Sequence, residues 1–124
     1  MKSAGNYRLY GLPNCNTVKK AREWLARHGV EVEFHDFKKL GLEADIAHNW
    51  LQQADWNKLL NRSGLTWRGL PEPRKQQIRD AHTAMELMLE KTSVIKRPLL
   101  EQNNKLLHVG FDEAAYSEIF NLKS

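Results

Sequence analysis

The N-terminal part of the chain predicts a β-strand, a helix and a second β-strand in close succession. Tyr7 to Tyr10 combines aromatic and aliphatic residues and ends at a Gly-Leu-Pro-Asn turn. A helix is predicted from about Cys15, with Gly29 placed to end it. The apolar stripe of this helix is predicted at Val18, Ala21, Trp24, Leu25 and His28. Val30 to Phe37 alternates apolar and polar residues, as a half-buried strand does. A βαβ unit this short predicts parallel strands.

The C-terminal part of the chain predicts a hairpin and a final helix. Leu99 to Gln102 and Lys105 to Val109 flank Asn103-Asn104, which is typical of a tight antiparallel turn, and Asp112 is suited to cap the helix that follows. Between the two halves, helical spacing prevails at about residues 40–92. The predicted fold class is therefore α/β. We expect a mixed four-stranded sheet, with a helical insertion between a βαβ half and a ββα half, in a single domain over residues 1–124.

Composition and charge exclude several classes of protein. Hydrophobic residues make up 41% and charged residues 27% of the chain, which is typical of a globular domain rather than a disordered one. No apolar run approaches the ~20 residues of a membrane-spanning helix, and the N-terminus has no signal-peptide pattern. We therefore expect a cytoplasmic protein without a membrane partner. The net charge is +4, but the basic residues are dispersed, so no nucleic-acid surface is predicted.

The chain has a single cysteine, Cys15, which excludes an internal disulfide and indicates a reducing compartment. Its predicted position is the start of a helix, where unpaired N–H groups and the helix dipole stabilise a thiolate. Thr17 is expected to contribute a donor there, and Lys19 a positive charge one turn on. A thiolate at this position is a catalytic nucleophile whose intermediate needs an external thiol. The alternative is a cysteine that packs as a small hydrophobic residue.

The five histidines show no spacing typical of metal ligands, and one cysteine cannot build a zinc cluster with them. No bound metal or cofactor is therefore expected.

Several segments together resemble the arsenate-reductase-like (ArsC/Spx) family, and within it the YffB-like subgroup. They are YGLPNCNTVKKA at 10–21, LLN at 59–61, TWR at 66–68 and IKRPLL at 95–100. The resemblance covers about residues 7–120. It implies a thioredoxin-like fold in which the Arg97-Pro98 peptide bond is cis and Arg97 lies beside Cys15.

The resemblance also implies a thiol-dependent reductase with glutathione as co-substrate and glutaredoxin as a further partner. Catalysis is expected from Cys15 and Arg97. Substrate binding is expected from Asn14, Thr17, Lys19, Arg62 and Pro98. In arsenate reductases of this type three arginines hold the oxyanion; one of these positions falls on Arg97, and the others fall at about Asn61 and about His108.

Two alternatives remain open from the sequence. One is arsenate reduction itself, with the same nucleophile. The other is a non-catalytic regulator of the Spx type, whose partner is RNA polymerase. Regulators of that branch often carry a Cys-x-x-Cys switch, whereas this chain has Val18 at the second cysteine position.

Overall fold

This computed structural model describes residues 6–121 of the chain, which contain four β-strands and eight α-helices. The strands are β1 (Tyr7–Gly11), β2 (Val32–Asp36), β3 (Leu99–Gln102) and β4 (Lys105–Val109). The helices are α1 (Asn16–Arg27), α2 (Phe37–Leu40), α3 (Ala44–Gln53), α4 (Trp56–Leu59), α5 (Leu65–Arg68), α6 (Glu72–Gln77), α7 (Ala81–Glu90) and α8 (Glu113–Ile119), and a 3-10 turn spans Thr92–Val94. Across these residues, every helix is too short or too polar to cross a membrane.

The chain divides into two compact units. Residues 6–36 and 97–121 form one unit, which holds the sheet, α1 and α8. Phe37–Lys96 forms the other, which holds α2 to α7. The helical unit thus begins a few residues before the insertion predicted at about 40–92. A single domain over residues 1–124 stays a prediction.

The four strands form one mixed sheet in the order β2-β1-β3-β4. Strand β1 pairs parallel with β2 and antiparallel with β3, and β3 pairs antiparallel with β4. The register sets Leu9 opposite Phe34 on one side and opposite Leu100 on the other. The predicted α/β class with a mixed four-stranded sheet is confirmed.

The core of the sheet-bearing unit contains side chains of the central strands and of helices α1 and α8. Its buried members are Leu9, Ala21, Trp24, Leu25, Leu100 and Tyr116. From the edge strand, Val32 and Phe34 pack against this cluster and stay partly exposed, as expected of alternating residues in a half-buried strand. Burial of these apolar side chains holds α1 on the sheet, and α1 in turn positions the residues that precede it.

Helix α1 ends where the sequence predicts, because Gly29 adopts the left-handed conformation with φ +69°. The backbone N–H of Val30 donates to the Leu25 carbonyl oxygen at 2.9 Å, as in a Schellman motif. The prediction that His28 belongs to the buried stripe is wrong. His28 follows the last helical residue and is exposed, with its ring stacked 3.9 Å from the Trp24 ring centroid.

The predicted hairpin and final helix are both confirmed. Asn103 and Asn104, which connect β3 and β4, have φ values of 50° and 69°. Two successive positive φ values are the signature of a two-residue type I′ turn, which asparagine tolerates better than most residues. The Asp112 side chain caps α8 by accepting the Ala114 backbone N–H at 3.0 Å.

The strand predicted over Val30 to Phe37 is too long at both ends, since β2 spans Val32–Asp36. Phe37 instead begins α2 and is buried, with its ring edge-on to Trp50 at 6.4 Å between centroids. Inside the helical unit α3 packs on α7, and an isolated antiparallel bridge joins Leu60 to Ile95. Tertiary packing of Phe37 therefore overrides the period-two pattern that extended the strand.

Candidate active site

Cys15 is the residue at which the turn after β1 becomes helix α1. Its φ of −94° and ψ of 126° are those of a helix N-cap, and its carbonyl oxygen accepts the Lys19 N–H at 2.9 Å. Its own N–H donates to the Leu12 carbonyl oxygen at 3.3 Å, which closes the turn. The side chain is partly exposed. The thiol is therefore held at the open end of α1 while remaining accessible to a small molecule.

The pKa of the Cys15 thiol lies below its ordinary value. Partial burial alone raises this pKa, but hydrogen bonds from the Val18 N–H, the Arg97 side chain and the Thr17 N–H lower it, and so does the Arg97 charge. These donors favour the ionised form, because each of them stabilises negative charge on the sulfur. The result is a larger thiolate fraction near neutral pH, and the thiolate is the nucleophilic form of cysteine.

Arg97 reaches Cys15 because of how the central strands pair. Tyr10 near the end of β1 lies opposite Leu99 at the start of β3. Since these strands are antiparallel, the segment that follows β1 and the segment that precedes β3 lie at the same end of the sheet. The peptide bond between Arg97 and Pro98 is cis, as the resemblance implied. Pro98 is buried, and its carbonyl oxygen accepts the Gly110 N–H at 2.8 Å.

The other residues expected to bind substrate lie in two places. Asn14, Thr17 and Lys19 are all exposed around the start of α1. Arg62 belongs to the helical unit, where its guanidinium lies 5.3 Å from the ring centroid of Trp56 and 5.4 Å from that of Trp67. Its side chain also donates a hydrogen bond to Asn57. Cys15, Thr17 and Arg97 are thus brought together in the sheet-bearing unit, and Arg62 is held in place in the other unit.

The two positions that match the other arginines of arsenate reductases carry different groups here. Asn61 donates its backbone N–H to the Val94 carbonyl oxygen at 2.8 Å within the helical unit. His108 lies on β4, and its ring centroid is 5.8 Å from that of buried Tyr116, in edge-on contact. Neither side chain supplies the bidentate guanidinium that holds an oxyanion.

Two features of the sheet-bearing unit were not predicted from the sequence. Gly11 ends β1 so close to α1 that a Cβ atom there would lie 2.8 Å from Cγ2 of Val18. Glu101 is only 4% exposed, and it accepts a hydrogen bond from the buried Tyr10 hydroxyl at 3.4 Å. Both features depend on which elements pack together. The local signal in the sequence is that Glu101 carries a charge directly after two leucines.

Among residues 6–121, no group of three or more His, Cys, Asp or Glu side chains is arranged to hold a metal ion.

Known proteins are similar to this chain in architecture and in sequence. A family profile described as the ArsC family matches residues 10–119. The solved structure of a protein named YFFB superposes with a TM-score of 0.85 at 42% identity, over 91% of this chain and 97% of that one. An arsenate reductase (ArsC) related protein from Brucella melitensis is 47% identical, with a TM-score of 0.74, over 94% of this chain and 96% of that one.

Curated relatives extend the comparison. An uncharacterized protein of Haemophilus influenzae is 39% identical over 112 residues, which cover 90% of this chain and 96% of that protein. The regulatory protein MgsR of Bacillus subtilis is 25% identical over 84% of this chain and 82% of that protein. The fold is thioredoxin-like, as the resemblance implied. Because the family profile spans nearly all of β1 to α8, this chain belongs to the ArsC family.

Proposed function

We propose that this protein is a thiol-dependent reductase in which Cys15 is the nucleophile and glutathione is the external resolving thiol. The observation that carries the proposal is the convergence of Arg97 and two α1 N–H groups on one partly exposed thiol. Donors that favour the charged form of a cysteine prepare it for nucleophilic attack rather than for packing in a core.

The chemistry consists of two thiol–disulfide exchanges. The Cys15 thiolate attacks the glutathionyl sulfur of a mixed disulfide RS–SG; the S–S bond breaks, and RS⁻ leaves and takes a proton. A glutathione thiolate then attacks the sulfur of glutathione in the Cys15–SG adduct, which releases the Cys15 thiolate and glutathione disulfide. In sum, RS–SG and one glutathione give RSH and glutathione disulfide, in which one glutathionyl group comes from the substrate and the other from the added glutathione. An external thiol is necessary, because the chain has no second cysteine.

The surroundings of Cys15 suit an anionic tripeptide thiol. Arg97 supplies a positive charge beside the sulfur, and Lys19 and Thr17 lie exposed on the first turns of α1. We assign substrate binding to these residues together with Asn14. Pro98 and Arg62 remain predicted substrate-binding residues, and glutaredoxin is the proposed protein partner for turnover.

The proposal is tested by measuring the alkylation rate of Cys15 with iodoacetamide as a function of pH. We expect a midpoint below that of free cysteine in the wild type and a higher midpoint in Arg97→Ala, because the guanidinium stabilises only the thiolate. Arg97→Lys keeps the positive charge but loses the paired N–H donors of the guanidinium. Its alkylation midpoint is therefore expected to lie between those of the wild type and Arg97→Ala.

Incubation with glutathione disulfide then tests the covalent step. Mass spectrometry is expected to show one glutathione on the wild type and none on Cys15→Ser, and added glutathione is expected to remove it. A normal midpoint together with no adduct would refute the reductase proposal.

Arsenate is a second candidate substrate for the same thiol. The observation that favours it is the 47% identity to the arsenate reductase related protein of Brucella melitensis. Of the three arginine positions, only Arg97 is an arginine in this chain. We therefore expect no arsenate-dependent oxidation of glutathione in the presence of glutaredoxin, and steady turnover would make arsenate the substrate.

The alternative function is that of a non-catalytic regulatory protein rather than an enzyme. The observation that favours it is the similarity to MgsR, named a regulatory protein. A regulator of the Spx type would bind purified RNA polymerase equally well as wild type and as Cys15→Ser. Binding of that kind, combined with the absence of a glutathione adduct, would favour this function over the reductase.

A further inference from the structure

We propose that Gly11 is a positioning residue for Cys15, because the absence of a side chain at Gly11 lets Val18 pack against the end of β1 and sets the first turn of α1 beneath the thiol. A Cβ atom at Gly11 would lie 2.8 Å from Cγ2 and 3.3 Å from Cγ1 of Val18. The first distance is well inside van der Waals contact. Gly11 does not adopt a positive φ, so space rather than backbone conformation requires glycine here.

Val18 cannot easily move its methyl groups out of the way. It is completely buried in α1, and a β-branched side chain in a helix has one strongly preferred χ1 rotamer. Well-packed interiors transmit strain instead of absorbing it locally. An added methyl group at Gly11 therefore has to push the first turn of α1 away from the end of β1.

That first turn is the part of α1 that acts on Cys15. Val18 is the third residue of the helix, and its N–H lowers the pKa of the Cys15 thiol together with that of Thr17. A donor that moves by a few tenths of an ångström weakens a charge-assisted hydrogen bond. Gly11 thus acts on the thiol through Val18, without touching the thiol or the substrate. The inference rests on the proposed role of Cys15, but thiol ionisation can be measured without any turnover.

The test is a double-mutant cycle read out as the pH midpoint of Cys15 alkylation. Gly11→Ala is expected to raise the midpoint and to slow alkylation by roughly tenfold below it, which corresponds to one pKa unit. In a Val18→Ala background the obstructing methyl groups are gone, so Gly11→Ala is expected to cause no further rise. Gly69→Ala is the matched control, because its Cβ would crowd the Leu65 carbonyl oxygen at 3.2 Å inside the helical unit. It is expected to lower stability without raising the midpoint.

Three outcomes would overturn the inference: an unchanged midpoint in folded Gly11→Ala, an equal rise in the Val18→Ala background, or the same rise in Gly69→Ala. If Gly11→Ala alone does not fold, the double variant decides. A folded Gly11→Ala/Val18→Ala protein with the midpoint of Val18→Ala supports the contact, and a double variant that fails to fold while Val18→Ala folds contradicts it. If the protein shows no reductase activity while the double-mutant cycle gives the expected alkylation midpoints, the proposed function is refuted and the positioning role of Gly11 is still supported.

Discussion

The ionisation of Cys15 couples the free energy of unfolding to pH. Its pKa is lower in the folded protein than in the unfolded chain, because Val18, Arg97 and Thr17 stabilise the thiolate against the opposing effect of burial. Between the two pKa values the unfolded chain therefore binds more protons, and stability rises with pH. The added stability is complete above the unfolded pKa of about 8.5 and is lost as the pH falls through the folded pKa.

We accordingly expect the stability difference between the wild type and Cys15→Ser to grow in favour of the wild type as the pH rises from acid toward about 8.5. Urea denaturation of both proteins over a pH series measures this difference. Because every other titrating group is present in both proteins, the contributions of those groups cancel in the difference. A difference that is flat or falls with pH would contradict a depressed pKa at Cys15.

Tyr116 places a hydroxyl group inside the core. The side chain is fully buried, and no group among residues 6–121 forms a hydrogen bond with the hydroxyl. Burial without a partner costs free energy and also raises the pKa of this phenol. The ring itself packs edge-on against Phe111 at 4.8 Å and Trp24 at 5.5 Å, contacts that phenylalanine would keep.

Tyr116→Phe is therefore expected to raise the free energy of unfolding by about 1 kcal/mol. Tyr10→Phe is the control, since the Tyr10 ring is equally buried but its hydroxyl donates to Glu101, and its loss is expected to lower stability by about 1 kcal/mol. Chemical denaturation compares the two. Equal destabilisation by both substitutions would show that the Tyr116 hydroxyl is partnered.

At the scale of elements, the β3–β4 hairpin depends on the conformation of its two turn residues. Asn104 has φ 69°, which costs an alanine about 1–2 kcal/mol but costs glycine nothing. Asn104→Ala is expected to destabilise the protein by about 1 kcal/mol, whereas Asn104→Gly is expected to be at least as stable as the wild type. Exposed Lys105, the next residue, provides a control, and Lys105→Ala should change stability by less than about 0.5 kcal/mol. If urea denaturation showed Asn104→Ala to be more stable than Asn104→Gly, the type I′ turn would be ruled out.

Most elements were predictable from local patterns, and the errors have a common origin. The turn at Asn103-Asn104, the Gly29 helix stop and the Asp112 cap follow from conformational preferences of single residues and their neighbours. Phe37 and His28 were placed wrongly because each sits at the end of an element, where periodicity stops being informative. There the available packing partner decides, which is Trp50 for Phe37 and the ring of Trp24 for His28.

For the molecule as a whole, the net charge of +4 predicts how the thiol encounters anionic substrates. Glutathione disulfide is negatively charged, so its second-order rate constant with Cys15 is expected to fall several-fold as ionic strength rises from about 0.01 M to about 1 M, where the Debye length shrinks from about 30 Å to about 3 Å. The uncharged 2-hydroxyethyl disulfide is the control, and its rate is expected to change little. The same salt dependence for both disulfides would exclude electrostatic steering.

The sequence by itself determined the β-α-β and β-β-α order of elements on either side of a helical insertion, the turn residues, and the presence of a single thiol at a helix start. These features depend on neighbours along the chain and on conformational preferences. It also determined that any disulfide formed by Cys15 must be with another molecule. The position of Arg97 beside that thiol was implied by family resemblance, and no local pattern contains it.

Only the tertiary structure decided the surroundings of the thiol. The pairing of β1 with β3 puts Arg97 at the end of the sheet where Cys15 lies, and the packing of α1 on β1 makes Gly11 a tight contact for Val18. The same pairing and packing bury Glu101 and the Tyr116 hydroxyl. These outcomes join residues far apart in the chain, so they follow from which surfaces meet rather than from any stretch of sequence.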